Sequence, residues 1–293
     1  MALRLSHDDR AAYSLLAALA VVLMAVTAFP ILYSFWISLF SINLRRPRSQ
    51  PFVGLENYTH VLGDPVFWDS VGRTAVFSVI AVVSVLVIAT LVAILLDQDF
   101  PGRRVLAVCL LIPWAIPSVA NGLMWKWIYD ANYGALNGLL LQLGFIHSGM
   151  IWLGDGSKTI PLIANAFIWK EVPLAAILLL VTLKAIPADL YAAGRVDGAT
   201  AWYRFVHITF PALRPGFLLV ALYEAMMAVR HFDLFFLLTE GGPGGASDVV
   251  AWRIYVETFR NLSFGTGAAM SYILAIATLL MSYVLIRSMA RKL

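Results

Sequence analysis

Six stretches of the chain carry apolar residues almost without interruption: about 11–40, 71–96, 105–128, 160–183, 216–238 and 267–286. Each meets or exceeds the ~20 residues an α-helix needs to cross a bilayer's hydrocarbon, so the pattern predicts an all-helical integral membrane core of six spans. The first run far exceeds the ~7–15 residues of a signal-peptide core, which predicts a retained span rather than a cleaved leader. Residues 1–10 form a polar lead-in, and 11–293 read as one transmembrane domain without a long linker, internal repeat or low-complexity tract. Three intervening segments, about 41–70, 129–159 and 239–266, are long enough for short interfacial helices. Their Trp68, Trp152 and Trp252 suit the boundary between lipid and water.

The segment 187–215 has a different texture, polar and aromatic between two apolar runs. Pro187 suits the first turn of a helix, where its missing N–H costs nothing, and Asp189 to Ala193 are mostly good helix formers. Asp197-Gly198 then interrupts. Glycine permits a bend or a close backbone approach, and Asp197 is placed to cap a second short helix carrying Trp202, Phe205, Val206 and Thr209 at helical spacing. Pro211 is expected to end that helix. Two readings stay open on these features: an amphipathic helix lying against lipid headgroups, or a docking element for another protein.

Composition agrees with the pattern. The chain is 61% hydrophobic and 13% charged, with a mean hydropathy of +0.82, against roughly 45–50% and 25% in soluble domains. A net charge of +4 reports positive cytoplasmic loops rather than nucleic-acid binding. With an inside N-terminus, eleven of the 21 Lys and Arg residues fall in cytoplasmic segments, six in outer loops and four within spans. Both termini and 187–215 are therefore expected to be cytoplasmic, although Arg45, Arg46 and Arg48 cluster on the opposite side. The single cysteine, Cys109, lies in an apolar run, which excludes an intrachain disulfide and argues against a metal cluster.

Candidate chemistry narrows the function further. Gly154 to Thr159 resembles the end of a P-loop, but Ser157 stands where glycine must precede the lysine, so no ATP site is expected there. The glycine-rich stretch Gly241 to Gly245 reads as a tight turn, and the glycosylation patterns at Asn57 and Asn261 carry no functional weight. The five histidines lack metal-ligand spacing, and no nucleophile elbow is present. Polar residues within the spans say more, because they are costly there. Lys170 and Glu171 precede Pro173; as adjacent residues they are expected to point to different helix faces. Glu224, Ala228 and His231 fall on one stripe of the fifth span, which also carries Arg230 and Asp233. Pro113 and Pro117, near Trp114, Ser118 and Asn121, predict a kinked third span. Together they outline a polar path with aromatic walls, suited to a sugar, or alternatively a set of structural ion pairs. Six spans leave little room for a complete pathway, which points to a second membrane subunit about a pseudo-two-fold axis. A proton-coupled carrier using Glu171, Glu224, His231 or Asp233 and a non-transporting scaffold remain as rival classes.

One further pattern names a family. Ala192-Ala193-Gly194-Arg195-Val196-Asp197-Gly198-Ala199, followed by Phe205, Ile208 and Pro211, resembles the EAA loop of ABC importer permeases, with Ala192 in place of the usual glutamate and Phe210 in place of leucine. Phe52 to Tyr58 is similar to the family's F-V-G-L-x-N-Y segment, Leu111 to Pro117 to its L-x-P-x-x-x-P, and Phe232 to Pro243 to its F-D-x-x-x-x-L-T-x-G-G-P. This combination resembles carbohydrate-uptake permeases of the maltose-type first subunit, most of all trehalose importers of mycobacteria. The resemblance implies a type I permease fold in the cell inner (plasma) membrane. It also implies a second permease, an ABC ATPase dimer that holds the ATP and Mg, an extracytoplasmic sugar-binding (lipo)protein, and no cofactor or catalysis in this chain. It assigns ATPase coupling to Ala192, Ala193, Gly194, Asp197, Gly198, Ala199, Trp202 and Phe205, with Gly198 where packing is close and Trp202 and Phe205 as anchors. The substrate path falls on Trp114, Ser118, Phe167, Lys170, Glu171, Leu174, Glu224, Ala228 and His231.

Overall fold

The computed structural model describes residues 16–17 and 19–290; the polar lead-in 1–10, with Arg4 and Arg10, and the terminal Arg291 and Lys292 lie outside the described residues. The helices, in order, are α1 (Leu19–Ser38), α2 (Glu56–Gly63), α3 (Pro65–Asp97), α4 (Arg103–Ala115), α5 (Ser118–Ile128), α6 (Ala135–Gln142), α7 (Gly156–Lys184), α8 (Ala188–Val196), α9 (Ala201–Ala212), α10 (Arg214–Val229), α11 (Asp233–Leu238), α12 (Val250–Tyr255) and α13 (Phe264–Ala290). Four of them, α1, α3, α7 and α13, are individually long and apolar enough to cross a membrane. Counting α4 with α5, and α9 with α10, as single bent spans raises the number to six. The short helices α2, α6 and α12 occupy the three segments where interfacial helices are predicted.

Two spans are broken. The third, expected to kink at its prolines, turns by 94° between α4 and α5. Ile116 is extended at φ −71°, ψ 130° because a following proline excludes the α region, and Pro117 at φ −55°, ψ 142° adds a second extended residue. The fifth span is interrupted as well: α10 ends at Val229 and α11 begins at Asp233, with Arg230 leaving helical geometry at φ −99°, ψ 8°.

The chain forms two compact units, one from the described residues of Met1–Asp64 with Ile254–Ile273, the other from Pro65–Arg253 with those of Leu274–Leu293. In the first, the F-V-G-L-E-N-Y segment is a structural clasp. Asn57 is buried and donates from Nδ2 to the carbonyls of Ser38 at 2.7 Å and Phe40 at 3.0 Å, which rules it out as an exposed glycosylation site.

In the second unit, α3 packs along α7. Phe77, Ala81, Val85, Ala89 and Ala93 recur every fourth residue on α3 and are fully buried, facing a wall that includes Ile163, Ala164, Phe167, Ala175 and Leu179. Small residues on both helices let the backbones approach, the usual basis of helix association in lipid. α10 packs on both, and at Gly216 an added Cβ would lie 2.7 Å from Thr182 Oγ1, so the contact requires glycine. Trp252, expected at the membrane boundary, is instead buried and stacks on Phe232 at 6.2 Å.

Candidate functional site

Residues 187–215 fold into two helices joined by a turn whose chemistry is visible in the backbone. α8 starts after Pro187, which is its N-cap rather than its first residue. It closes in a Schellman motif: Gly198 N–H donates to Arg195 O at 3.1 Å and Ala199 N–H to Gly194 O at 2.8 Å, with Gly198 at φ +75°. That pairing satisfies carbonyls that a helix end leaves open and needs a left-handed residue after the cap. Asp197-Gly198-Ala199 are thus the last three positions of this helix stop.

Asp197 does not cap α9; Thr200 does, its Oγ1 accepting from Tyr203 N–H at 3.2 Å. A Cβ added at Gly198 would meet nothing within 4 Å, so within the chain glycine serves the turn rather than close packing. Pro211 does not end the second helix, which runs on to Ala212 through a π-helical turn at Phe205–Thr209 and then bends 62° into α10. A proline in the first turn of such a restart lacks only an N–H that would have had no partner.

Two contacts hold α8 and α9 side by side. Arg204 donates from Nη1 to Ala199 O at 2.8 Å, and Tyr191 Oη bonds Thr209 Oγ1 at 3.0 Å. Gly194 leaves space for the Arg204 stem, whose Cδ would stand 3.4 Å from an added Cβ. The site residues Ala192, Gly194, Ala199 and Phe205 are half-buried, whereas Ala193, Asp197, Gly198 and Trp202 face outward. Trp202 is 73% exposed, its ring tilted by 31° against that of Phe205 with the centroids 5.6 Å apart. Thr200, Arg204 and Tyr191 were not singled out from the sequence; the threonine two residues beyond Gly198 was the available sign of the cap.

Within the spans, Lys170 and Glu171 do pair. Lys170 Nζ lies 3.1 Å from Glu171 Oε1, with side chains 13% and 7% exposed. Adjacent helix positions diverge at Cβ, but the four-carbon lysine stem swings back across that angle to neutralise a carboxylate that would otherwise be buried alone. Glu224 is fully buried, and neither of its oxygens has a hydrogen-bond partner; the same holds for Glu171 Oε2, His231 Nε2, Asn121 Oδ1 and Trp125 Nε1. Unpaired polar atoms in an apolar bundle are costly and set this cluster apart from the packed core around it.

His231 does not continue the Glu224 and Ala228 stripe on one helix, because it stands in the break between α10 and α11. It meets Phe167 edge-on at 5.1 Å and stacks on Phe77 at 6.3 Å. Phe167 and Ala228 are buried by packing, Leu174 and Ser118 are half-buried, and Trp114 is exposed at the end of α4. The structure therefore joins Lys170 with Glu171 and Phe167 with His231, while Trp114 lies at the 94° turn.

The P-loop look-alike is the start of α7. Asp155 caps it by accepting from Ser157 N–H at 3.0 Å, and Lys158 pairs back to Asp155 at 3.0 Å. Gly241 to Gly245 form the expected turn, tied by Ser247 Oγ donating to Gly242 O at 2.6 Å. Among the described residues no cluster of His, Cys, Asp and Glu could hold a metal.

The family described as "Binding-protein-dependent transport system inner membrane component" matches residues 85–291. The chain is 32% identical over 285 residues to the sulfoquinovosyl glycerol transport system permease protein SmoG of Agrobacterium fabrum, spanning 97% of this chain and 92% of that one. It is 35% identical over 266 residues to the trehalose/maltose transport system permease protein MalF of Thermococcus litoralis, spanning 90% and 88%. The trehalose transport system permease protein SugA of Mycobacterium tuberculosis is 29% identical over 280 residues, spanning 96% and 89%. In fold the chain matches one from a bacterial ABC transporter involved in the import of the acidic polysaccharide alginate, with a TM-score of 0.83 at 18% identity over 97% of this chain and 96% of that one.

Proposed function

The chain belongs to the family of binding-protein-dependent transport system inner membrane components, and from that premise we propose how it works as the non-catalytic, multi-pass permease of a sugar ABC importer. It forms half of the pathway beside a second permease, and two ATPase subunits hold ATP and Mg. An external binding protein delivers the sugar, a reading supported by the structure of the bacterial alginate ABC transporter in complex with an alginate pentasaccharide-bound periplasmic protein. Residues 187–215 seat against one ATPase, and its ATP-driven closure moves the loop and switches the cavity between inward- and outward-facing states.

The observation that carries this reading is the loop itself. α8 and α9 are locked by their own hydrogen bonds into a rigid unit that turns Trp202, Val196 and Ala193 outward. With Ala192 in place of an acidic residue, seating rests on shape and apolar contact. For the substrate, a neutral disaccharide such as trehalose is favoured. Lys170 is already neutralised by Glu171, and Glu224 adds a further carboxyl group, so these three residues offer no spare positive charge to an anionic sugar.

A panel of radiolabelled sugars tested for uptake in a deletion strain identifies the substrate, and a co-purified ATPase stimulated by sugar-loaded binding protein establishes the coupling. Uptake that collapses with the proton gradient while ATP remains would favour a secondary carrier instead. No uptake defect on deletion would leave only the scaffold reading.

A further inference from the structure

Away from the loop and the intramembrane cluster lies a cavity of about 560 Å3, formed by the turn after α5, one face of α6 and the segment at Gly149 to Ile151. No charged side chain lines it. Its walls are fixed by Asn137, which is 3% exposed. Asn137 Nδ2 donates to the carbonyls of Ala131 and Met150, each at 3.0 Å, and Oδ1 accepts from Met150 N–H at 3.1 Å and the Trp152 indole N–H at 2.9 Å. The neighbouring Asp130 carboxylate is turned into its own loop by Asn132 and Tyr133 N–H groups at 2.8 and 3.1 Å. Asn132 and Tyr133 are exposed lining residues, and Gly138 borders open space, since a Cβ added there would meet nothing within 4 Å.

We propose that this cavity holds one ring of a neutral sugar, as a subsite separate from the intramembrane cluster. The proposal rests on the reading of the chain as a sugar-importer permease. A pyranose presents apolar faces and a hydroxyl edge; the exposed Tyr133 ring suits the first, and the Asn132 amide and the backbone of the glycine-bearing walls suit the second. The uncharged lining disfavours sulfonated or uronic rings. Walls fixed in advance keep the ordering cost of binding small, and the volume is that of a small-molecule site. A side chain of the binding protein is the competing occupant.

The test uses the assembled importer in lipid nanodiscs, without ATP or binding protein, with trehalose and maltose as probes and saturation-transfer NMR as readout. Transfer to sugar ring protons is expected in the wild type and in Gly138→Ala, and a clear drop, to what the intramembrane path alone gives, in Gly138→Phe and Tyr133→Ala, with assembly followed by size exclusion. Unchanged transfer in Gly138→Phe overturns the proposal. So does absent transfer in a wild-type importer whose ATP hydrolysis still responds to sugar-loaded binding protein. If Gly138→Phe instead abolishes capture of the binding protein and leaves transfer intact, the cavity belongs to that protein and the proposal fails. An importer with no sugar-stimulated hydrolysis fails the transport reading itself, a separate result.

Discussion

At Gly198 the sequence offered two reasons for a glycine, a bend or close packing, and within the chain the bend is the one observed. The position demands glycine because the chain stands at φ +75° there, where an L-residue costs about 1–2 kcal/mol and a β-branched one more. Gly198→Val is therefore expected to loosen the stop between α8 and α9 and to lose most sugar-stimulated ATP hydrolysis. Gly198→Asn, which tolerates the left-handed region, is expected to retain it. Full activity in both would remove the turn from the coupling mechanism. Lys170 and Glu171 teach the opposite lesson: helix spacing argued against a pair, and side-chain reach overrode it. Lys170→Met leaves a carboxylate buried alone, at a cost of roughly 3–5 kcal/mol, while Lys170→Met with Glu171→Gln restores much of the loss. Thermal unfolding of the purified complex measures both. A double variant no more stable than the single one would show that the two are not coupled.

At the scale of elements, the helices read from hydropathy and those observed agree where the chain is simple. The spans expected at 71–96 and 160–183 appear as α3 and α7, which start six and four residues earlier and each end one residue later. The breaks were legible only in part. A window of about 20 residues averages over them, and two extended residues at Ile116 and Pro117 suffice to turn the chain by 94°. The prolines gave the place of that bend but not its size, and nothing in the residue types at Arg230 to Phe232 announces the end of α10. Helix starts are more local and easier to test. Asp155 caps α7, and its carboxyl is held down to about 2 by the Ser157 hydroxyl first and Lys158 second, from an ordinary 3.8. A depressed folded-state value means that the cap's contribution is complete above the ordinary value and fades as pH falls toward about 2. Hydrogen-exchange protection of the first turn of α7, referenced to unstructured peptide at each pH, should fall over that window. Asp155→Asn should flatten the response, and an unaltered response would mean that the carboxylate is not the cap.

At the scale of the molecule, helices fix how many times the chain can cross, while orientation depends on charge. The positive-inside count favours an inside N-terminus, eleven against six, and the main dissent comes from Arg45, Arg46 and Arg48. Arg45 has a local task that lightens this dissent: its Nη2 donates to Arg260 O at 3.1 Å, and its backbone N–H to Asn43 Oδ1 at 2.9 Å. A guanidinium spent on holding two loop segments together is placed by folding and need not report the cytoplasm. The orientation reading then makes a demand on two well-exposed positions, Val196 at 88% and Tyr133 at 73%. In a Cys109→Ser background, an impermeant maleimide is expected to label Val196→Cys only in inverted vesicles and Tyr133→Cys only in spheroplasts. The reverse pattern would put the coupling loop on the face where no ATP is available. It would also place the Tyr133 cavity on the side from which sugar leaves, so one labelling experiment constrains both the loop's partner and the cavity's role.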